Sequence, residues 1–326
     1  MRHEASLSPI ALLRKWRIDC RADTGRNSHT LAGEAIAYGR GLSLAAARTA
    51  CLMETVERVC SYPSIETTAA GAIVRNRKNN GVLTRAAPAE LRAAGRAYWH
   101  PPTGCDIDLY PFYWLPGETP AGDQIMIPAQ AVFLFCNLDE ETIFDGAGST
   151  GLATGATLAD ARLAALTEVL ERESDALAPA SRAREFILES RDLRIRELLS
   201  DYRFRGINIL MRDIGEAGGL PIYRCETRGR NGKCASASAA NLNGASAALA
   251  ALTETPWPYS WSNPQTRSEP TIPPRPGTPV RYLEDLPNYD LGSAEANLAM
   301  LEEWLAINGR RPVYVDISRE DLDFPV

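Results

Sequence analysis

Apolar positions recur at helical spacing in three separate stretches of the chain, and each stretch carries a glutamate at the same place in its pattern. From Ser43 to Ser61 helix formers surround Leu44, Ala47, Cys51 and Val59, and Pro63 stops the run. A second helix starts near Thr157, whose hydroxyl and Asp160 three residues later form a capping-box pattern, and runs to about Leu177. The third, Ala245 to Glu254, is ended by Pro256 and Pro258. Between these helices the pattern changes. Arg17 to Tyr38 lacks helical periodicity and closes on Gly39-Arg40-Gly41, read as a turn into the first helix, and residues 64–98 read as helix and loop. They include a turn at Lys78 to Gly81 and a short helix from Pro88 to Arg96. Asp108–Leu115 and Ile125–Phe135 read as a hairpin across the turn-rich Pro116–Gly122, and the longest apolar run, Ala129–Cys136, reads as a buried strand. A polar helix (Ser190–Leu199), strands at Ile207–Met211 and Leu220–Arg224, a loop with eight prolines at 256–279, a helix at Ser293–Asn308 and a strand at Val313–Ile317 complete the chain. Such alternation implies an α/β (α+β) body.

The three helical stretches are copies of one element. The hexapeptide Leu-Ala-Ala-Leu-Thr-Glu occurs at 163–168 and again at 249–254. A diverged copy aligns Ala47-Arg48-x-Ala50-x-Leu52-x-Glu54-x-Val56-Glu57-Arg58 with Ala161-Arg162-x-Ala164-x-Leu166-x-Glu168-x-Leu170-Glu171-Arg172, an offset of 114 residues. Gly41 and Gly155 each stand thirteen residues before the first glutamate. Length alone suggests about two domains' worth of material, but the internal repetition argues that 1–326 is one domain, with repeat elements near 39–61, 151–177 and 244–258.

Composition removes several classes of function. A chain that is 45% hydrophobic and 23% charged, with net charge −6, is that of a soluble globular protein without a basic footprint for nucleic acid. No run approaches the roughly 18 apolar residues of a membrane span, and the N-terminal apolar stretch Pro9–Leu13 is too short for a signal-peptide core. Seven scattered cysteines, odd in number and without a CxxC pair, read as reduced thiols, which suits the cytoplasm. The three histidines, His3, His29 and His100, lie far from the repeats and leave a Ser-His-Asp system little to build on. Gly146-Ala-Gly148-Ser-Thr-Gly151 satisfies GxGxxG, but the preceding strand ends about ten residues earlier and the helix opens only after Gly155, so it reads as a close-approach loop.

The repeated helices carry the chemistry. Glutamates at i and i+3 share a helix face, so Glu54/Glu57 and Glu168/Glu171 each present two carboxylates side by side. Arg58 and Arg172 follow directly but are expected to point round the helix from at least one of the pair. If the copies pack as pseudo-symmetric partners, four glutamates converge on one cleft suited to Mg²⁺, which prefers carboxylate and water oxygens and shares its shell with substrate phosphates. Asp160, two to three turns earlier on the second helix, could add another oxygen, and Glu254 supplies the third copy's carboxylate. A lone Glu-x-x-Glu-Arg is usually a solvated face. Two in one frame, with matching glycines, argue for a site.

Gly39-Arg-Gly-Leu-Ser43 with Ala50–Arg58, and Gly151-Leu-Ala-Thr-Gly-Ala-Thr157 with Leu166–Arg172, resemble the paired elements of the YcaO family. Ala247–Glu254 resembles that family's third helical segment, and Asp213–Tyr223 and Val313–Val326 its strands, so the resemblance covers nearly the whole chain. It implies a single YcaO-like body with an acidic nucleotide-binding cleft, holding ATP and Mg²⁺ and activating a peptide-backbone amide. The products it implies are an azoline, a thioamide or an amidine. It assigns Mg²⁺ to Glu54, Glu57, Glu168 and Glu171, places Asp160 where the family has Glu, adds Glu254 to the ATP site, and makes Arg58 and Arg172 phosphate contacts. It further implies a peptide substrate, a ThiF-like or TfuA-type partner protein, and no nucleic acid or membrane partner; a homodimer is the common default. Ala156 replaces the family's Asn, Arg40 its Lys, and Trp257 a Gln. These departures keep open a degenerate member that serves as a scaffold or docking subunit. Relatives also continue past a position like Asp323-Phe-Pro-Val326 into a proline-containing tail used near the active site by azoline-forming members; either cyclodehydration by this chain alone is disfavoured or the chain is cut short.

Overall fold

In the computed structural model the described residues are 2–3, 10–23, 28–68, 71–75, 78, 81–97, 107–134, 136, 148–177, 184–204, 207–215, 219–228, 234–255 and 276–326. The elements, in chain order, are β1 (Arg2–His3), β2 (Ile10–Asp23), β3 (Ser28–Gly41), α1 (Leu44–Cys60), β4 (Ser64–Thr68), β5 (Gly71–Arg75), β6 (Thr84–Ala86), α2 (Pro88–Ala93), β7 (Phe112–Glu118), β8 (Gln124–Pro128), α3 (Leu158–Leu177), β9 (Glu185–Glu189), α4 (Leu193–Phe204), β10 (Asn208–Asp213), β11 (Ile222–Arg228), β12 (Cys234–Ala240), α5 (Gly244–Glu254), β13 (Val280–Tyr282) and α6 (Ala294–Ile307). This is a mixed α/β chain, as its alternating pattern implied. Contacts divide it into two compact units, one of residues 1–14, 38–52 and 167–293, the other of 15–37, 53–166 and 294–326. The division falls inside α1 and α3, and inside β2 and β3, which with β1 form a three-stranded sheet.

The first unit is built on a five-stranded sheet in the order β12-β11-β10-β9-β13, antiparallel except for the β9–β13 pair. Side chains alternate across a strand, and here the alternation gathers the large core side chains on one face. One face presents Phe186, Met211, Tyr223, Cys225 and Ala239 to Ile195 and Leu199 of α4 and to Ala247, Ala251 and Leu252 of α5. Burial of each large member contributes about 1.5–3 kcal/mol. The opposite face carries Glu185, Arg212, Arg224 and Glu226 at register-matched positions.

The second unit holds the antiparallel sheet β6-β7-β8 and the β4–β5 hairpin. Phe112 and Trp114 pack with Leu91 of α2 and Met126 of β8, and the Trp114 indole donates to the Ala86 carbonyl at 2.8 Å. Leu115 and Phe133 join Cys60, Leu152, Ile317 and Val326 in a second cluster.

Several expectations shift. The 107–128 hairpin forms, but its first strand begins at Phe112 and continues through Pro116 to Glu118, so the loop is shorter than its proline and glycines implied. Ala129–Cys136 is no strand: Ala129 to Ala131 form a 3-10 turn whose Ala129 carbonyl accepts from Val132 and Phe133. An apolar run that short fixes burial and not conformation. Gly39–Gly41 ends β3 instead of turning, β4 and β5 occupy a stretch read as helix and loop, and Leu44, read as apolar helix face, is 60% exposed. Val313–Ile317 makes one bridge, Tyr314 to Glu118, and no strand. His100, Cys105, Gly146, Trp257 and most of 256–279 lie outside the described residues.

Candidate nucleotide site

The repeated element begins the same way three times. The Ser43 hydroxyl accepts the Ala46 N–H at 3.2 Å, the Thr157 hydroxyl accepts the Asp160 N–H at 3.1 Å, and the Asn243 side chain accepts the Ser246 N–H at 3.1 Å. Each cap satisfies an amide that the first helical turn leaves unpaired, and each stands eleven residues before Glu54, Glu168 or Glu254. The Asp160 carboxylate returns to the Thr157 N–H at 3.0 Å and its hydroxyl at 2.9 Å, which completes the reciprocal box. The paired glycines have matching causes. A Cβ on Gly41 would lie 2.8 Å from Ala46 Cβ, and one on Gly155 would lie 2.6 Å from Asp160 Cβ and 2.4 Å from the Ala161 nitrogen. In both copies the approaching chain lies flush on its own helix.

In the first unit, α3 and α5 bring Glu168 and Glu254 within electrostatic reach of Glu171. Glu171 lies half-buried. Its carboxyl is pushed up to about 8, first by desolvation and next by the negative charge of Glu254, with Glu168 and Asp175 adding to the rise and Arg172 opposing it. Arg172 itself reaches Glu168 at 3.4 Å, one turn back. Asp175, one turn beyond Glu171, accepts from Ser238 at 2.6 Å and faces Arg224 at 3.4 Å. From there charges alternate over the sheet: Arg224 to Glu226 at 3.8 Å, Arg212 to Glu226 at 3.3 Å, Arg212 to Glu185 at 3.1 Å. Asp175 and this ladder escaped the sequence reading. Their signals were Glu171-x-x-x-Asp175 on one helix face and Arg224-x-Glu226 on one strand face, both visible only once α3 and β11 are known to share a unit.

In the second unit, Glu54 and Glu57 lie half-buried on the last turns of α1. Arg58 reaches Glu54 at 3.4 Å and Glu57 at 3.2 Å. This corrects the expectation that Arg58 would point away from one partner: a long guanidinium at i+4 and i+1 folds back over both. Thr154, in the loop before α3, donates to the Met53 carbonyl at 3.4 Å, and the Gly155 N–H donates to the Pro325 carbonyl at 3.2 Å. Asp160 belongs to this unit and is engaged at the start of its own helix.

These residues fit a cation better than they fit one another. Among the described residues no three His, Cys, Asp or Glu side chains gather into a set that alone could hold a metal ion. Mg²⁺ does not require one, because it keeps waters and binds through one or two carboxylates plus substrate phosphates. Among the described residues, Glu254, Glu168 and Asp175 bring negative charge to Glu171 and Arg172 opposes them, a surrounding compatible with a divalent cation.

The family model described as YcaO cyclodehydratase, ATP- and Mg²⁺-binding, matches residues 38–256. That span is more than half of the chain and contains all three repeat helices. The chain belongs to the YcaO family. Its cofactors are those in the family's description, ATP and Mg²⁺. Solved structures share the YcaO fold. A heterocyclase in complex with substrate and cofactor superposes with TM-score 0.65 at 17% identity, covering 89% of this chain and 44% of the heterocyclase. YcaO from Methanopyrus kandleri, bound with AMPPCP and Mg²⁺, superposes with TM-score 0.64 at 21% identity over 96% of this chain and 83% of that one. A chain of the E. coli microcin synthetase McbBCD complex gives TM-score 0.53 at 17% identity, with 76% and 62% covered. The chain thus spans less than half the length of the first of these. No curated protein matched. Among the described residues, no helix of this YcaO protein is long and apolar enough to cross a membrane.

Proposed function

We propose that this YcaO protein uses ATP and Mg²⁺ to activate a backbone amide of a ribosomally made peptide or protein, acting as one domain over residues 1–326 in the cytoplasm. In this reading Glu54, Glu57, Glu168 and Glu171 hold Mg²⁺, Asp160 and Glu254 join them in binding ATP, and Arg58 and Arg172 turn to the phosphates. Bound ATP supplies the γ-phosphate. A nucleophile adds to the amide carbon, the amide oxygen takes the phosphoryl group as ADP departs, and phosphate then leaves with that oxygen. Cys, Ser or Thr as nucleophile gives an azoline, sulfide a thioamide, an amine an amidine. A ThiF-like or TfuA-type partner would deliver the peptide.

One observation carries the reading: Glu171, in the family's Glu-x-x-Glu-Arg motif, lies among Glu168, Asp175 and Glu254 with its carboxyl held near 8. Arginine's persistent charge and bidentate fork suit Arg58 and Arg172 to phosphate once a cation takes over their glutamates. The family to which McbBCD and the heterocyclase are similar in fold is consistent with peptide chemistry.

Ala156 supports a second reading, a scaffold that has lost catalysis. It is exposed directly before the Thr157 cap, where the family's Asn would offer an amide to the nucleotide. Calorimetry separates the two. Mg²⁺-dependent ATP binding by the wild type, weakened in Glu171→Gln, supports the enzyme, and absence of binding in both refutes it. Incubation with the peptide encoded beside the gene then distinguishes products by mass, as loss of water or exchange of oxygen for sulfur.

A further inference from the structure

Strand β12 ends the five-stranded sheet, and among the described residues no strand pairs with its outer side. Its register against β11 determines which of its backbone groups face outward. The Asn241 N–H donates to the Pro221 carbonyl at 3.2 Å, continuing the ladder in which Ala239 faces Tyr223 and Ala237 faces Cys225. In an antiparallel pair, residues that exchange hydrogen bonds alternate with residues that do not. Ala235, Ala237 and Ala239 therefore bond inward to β11, and the N–H and C=O of Cys234, Ser236, Ser238 and Ala240 point outward.

Native edges are commonly guarded by lysine, proline or a bulge. The β12 sequence, Cys-Ala-Ser-Ala-Ser-Ala-Ala, has no charge and no proline, and its pairing with β11 runs without a bulge. The edge also adjoins the candidate site: Ser238 donates to Asp175 at 2.6 Å, one helical turn from Glu171, and Arg224 donates to Ser236 at 3.3 Å. Donors and acceptors repeating every second residue match an extended main chain.

We propose that the outer edge of β12 receives the peptide substrate as an added antiparallel or parallel strand, which carries its backbone amides past the α3 carboxylates. This rests on the peptide substrate proposed above. Side chains of one parity on the added strand would share the charged face with Ser236 and Ser238, and the other parity would continue the alanine face. Recognition through main chain and small neighbours tolerates many peptide sequences. Selection of the modified residue would then lie with the nucleophile and the partner protein.

Ser236→Pro removes one outward N–H and leaves every inward ladder bond, a position where an edge strand accepts proline. Ser236→Ala removes only the hydroxyl. The probe is a fluorescein-labelled Thr-Val-Ser-Cys-Val-Thr-Cys-Ser-Val peptide, followed by anisotropy against the full chain with Mg²⁺ and AMPPCP present. Wild type and Ser236→Ala should bind alike and Ser236→Pro about tenfold more weakly. N-methylation of successive probe amides should weaken binding at every second position, a readout that needs no variant. Equal binding by Ser236→Pro, or an N-methyl scan without period two, overturns the proposal. So does failure of the wild type to bind the probe, and so does a wild-type dimer that Ser236→Pro converts to monomer, which would give the edge to a second copy. Calorimetry with Mg²⁺-AMPPCP on the same preparations keeps the two readings apart: nucleotide binding without edge binding refutes only the edge, and loss of nucleotide binding in the wild type refutes the function itself.

Discussion

Replacing Glu171 by Gln should abolish a proton that Mg²⁺-nucleotide binding otherwise releases. A Glu171 carboxyl pushed up to about 8 should be about 90% protonated at pH 7 in the nucleotide-free protein. A carboxylate that coordinates Mg²⁺ must be ionised. Binding at pH 7 should therefore release about 0.9 proton per nucleotide from this group, falling to about half at pH 8 and to near zero at pH 9.5. Affinity should rise about tenfold between pH 7 and pH 9 for the same reason.

The assay is titration calorimetry with Mg²⁺-AMPPCP in phosphate, imidazole and Tris, whose ionisation enthalpies differ. The slope of observed enthalpy against buffer enthalpy gives the protons released, and subtracting the Glu171→Gln slope removes the nucleotide's own titration. The nucleotide-free protein offers an independent check. Glu171 is raised in the folded state, so its contribution to stability is fully present below 4.5 and is lost as pH rises through about 8. Wild type should lose stability over that window relative to Glu171→Gln. Equal proton release by wild type and variant, with parallel stability curves, would refute the reasoning.

Other expectations test the frame around the site. Arg212→Ala should destabilise by about 3–5 kcal/mol in urea melts, since it removes the ion pair of the buried Glu185 carboxylate, and Glu185→Gln in the same chain should recover much of the loss. Thr157→Ala should cost about 1 kcal/mol, the usual value of an N-cap, and amide exchange should quicken at the first turn of α3 before anywhere else. Gly155→Ala should cost more than the cap, about 1–3 kcal/mol by overpacking, because its Cβ meets the Ala161 nitrogen at 2.4 Å; a melting temperature within a degree of wild type would contradict the close approach.

Legibility followed the range over which each signal acts. The helices α1, α3, α5 and α6 could be read to within two or three residues, because caps, prolines and apolar spacing all act within a turn or two. The strands fared worse. β9 and β13 are short, and β12 is alanine and serine after Cys234, so it forms through its ladder with β11 and not through any preference of its own. The family and the acidic residues were legible because the repeat preserves them in frame. The Asp175–Arg224–Glu226–Arg212–Glu185 ladder was not, since it joins α3 to three strands whose order no local pattern fixes.

The three copies of the repeat also explain why one hexapeptide can serve two ends. Its fourth residue is buried as Leu166 and Leu252 but is 37% exposed as Leu52, so packing alone would not hold the frame constant across all three. What stays constant is the distance from cap to glutamate: eleven residues, about three turns, in each copy. A fixed cap and a fixed turn count deliver the glutamate to a fixed height along the helix whatever the neighbouring side chains do. The third copy keeps that height and omits the second glutamate and the arginine, ending instead at Thr255, whose buried hydroxyl donates to the Ala251 carbonyl at 2.7 Å. Glu254 so reaches the neighbourhood of Glu171, where its charge adds to the rise of the Glu171 carboxyl.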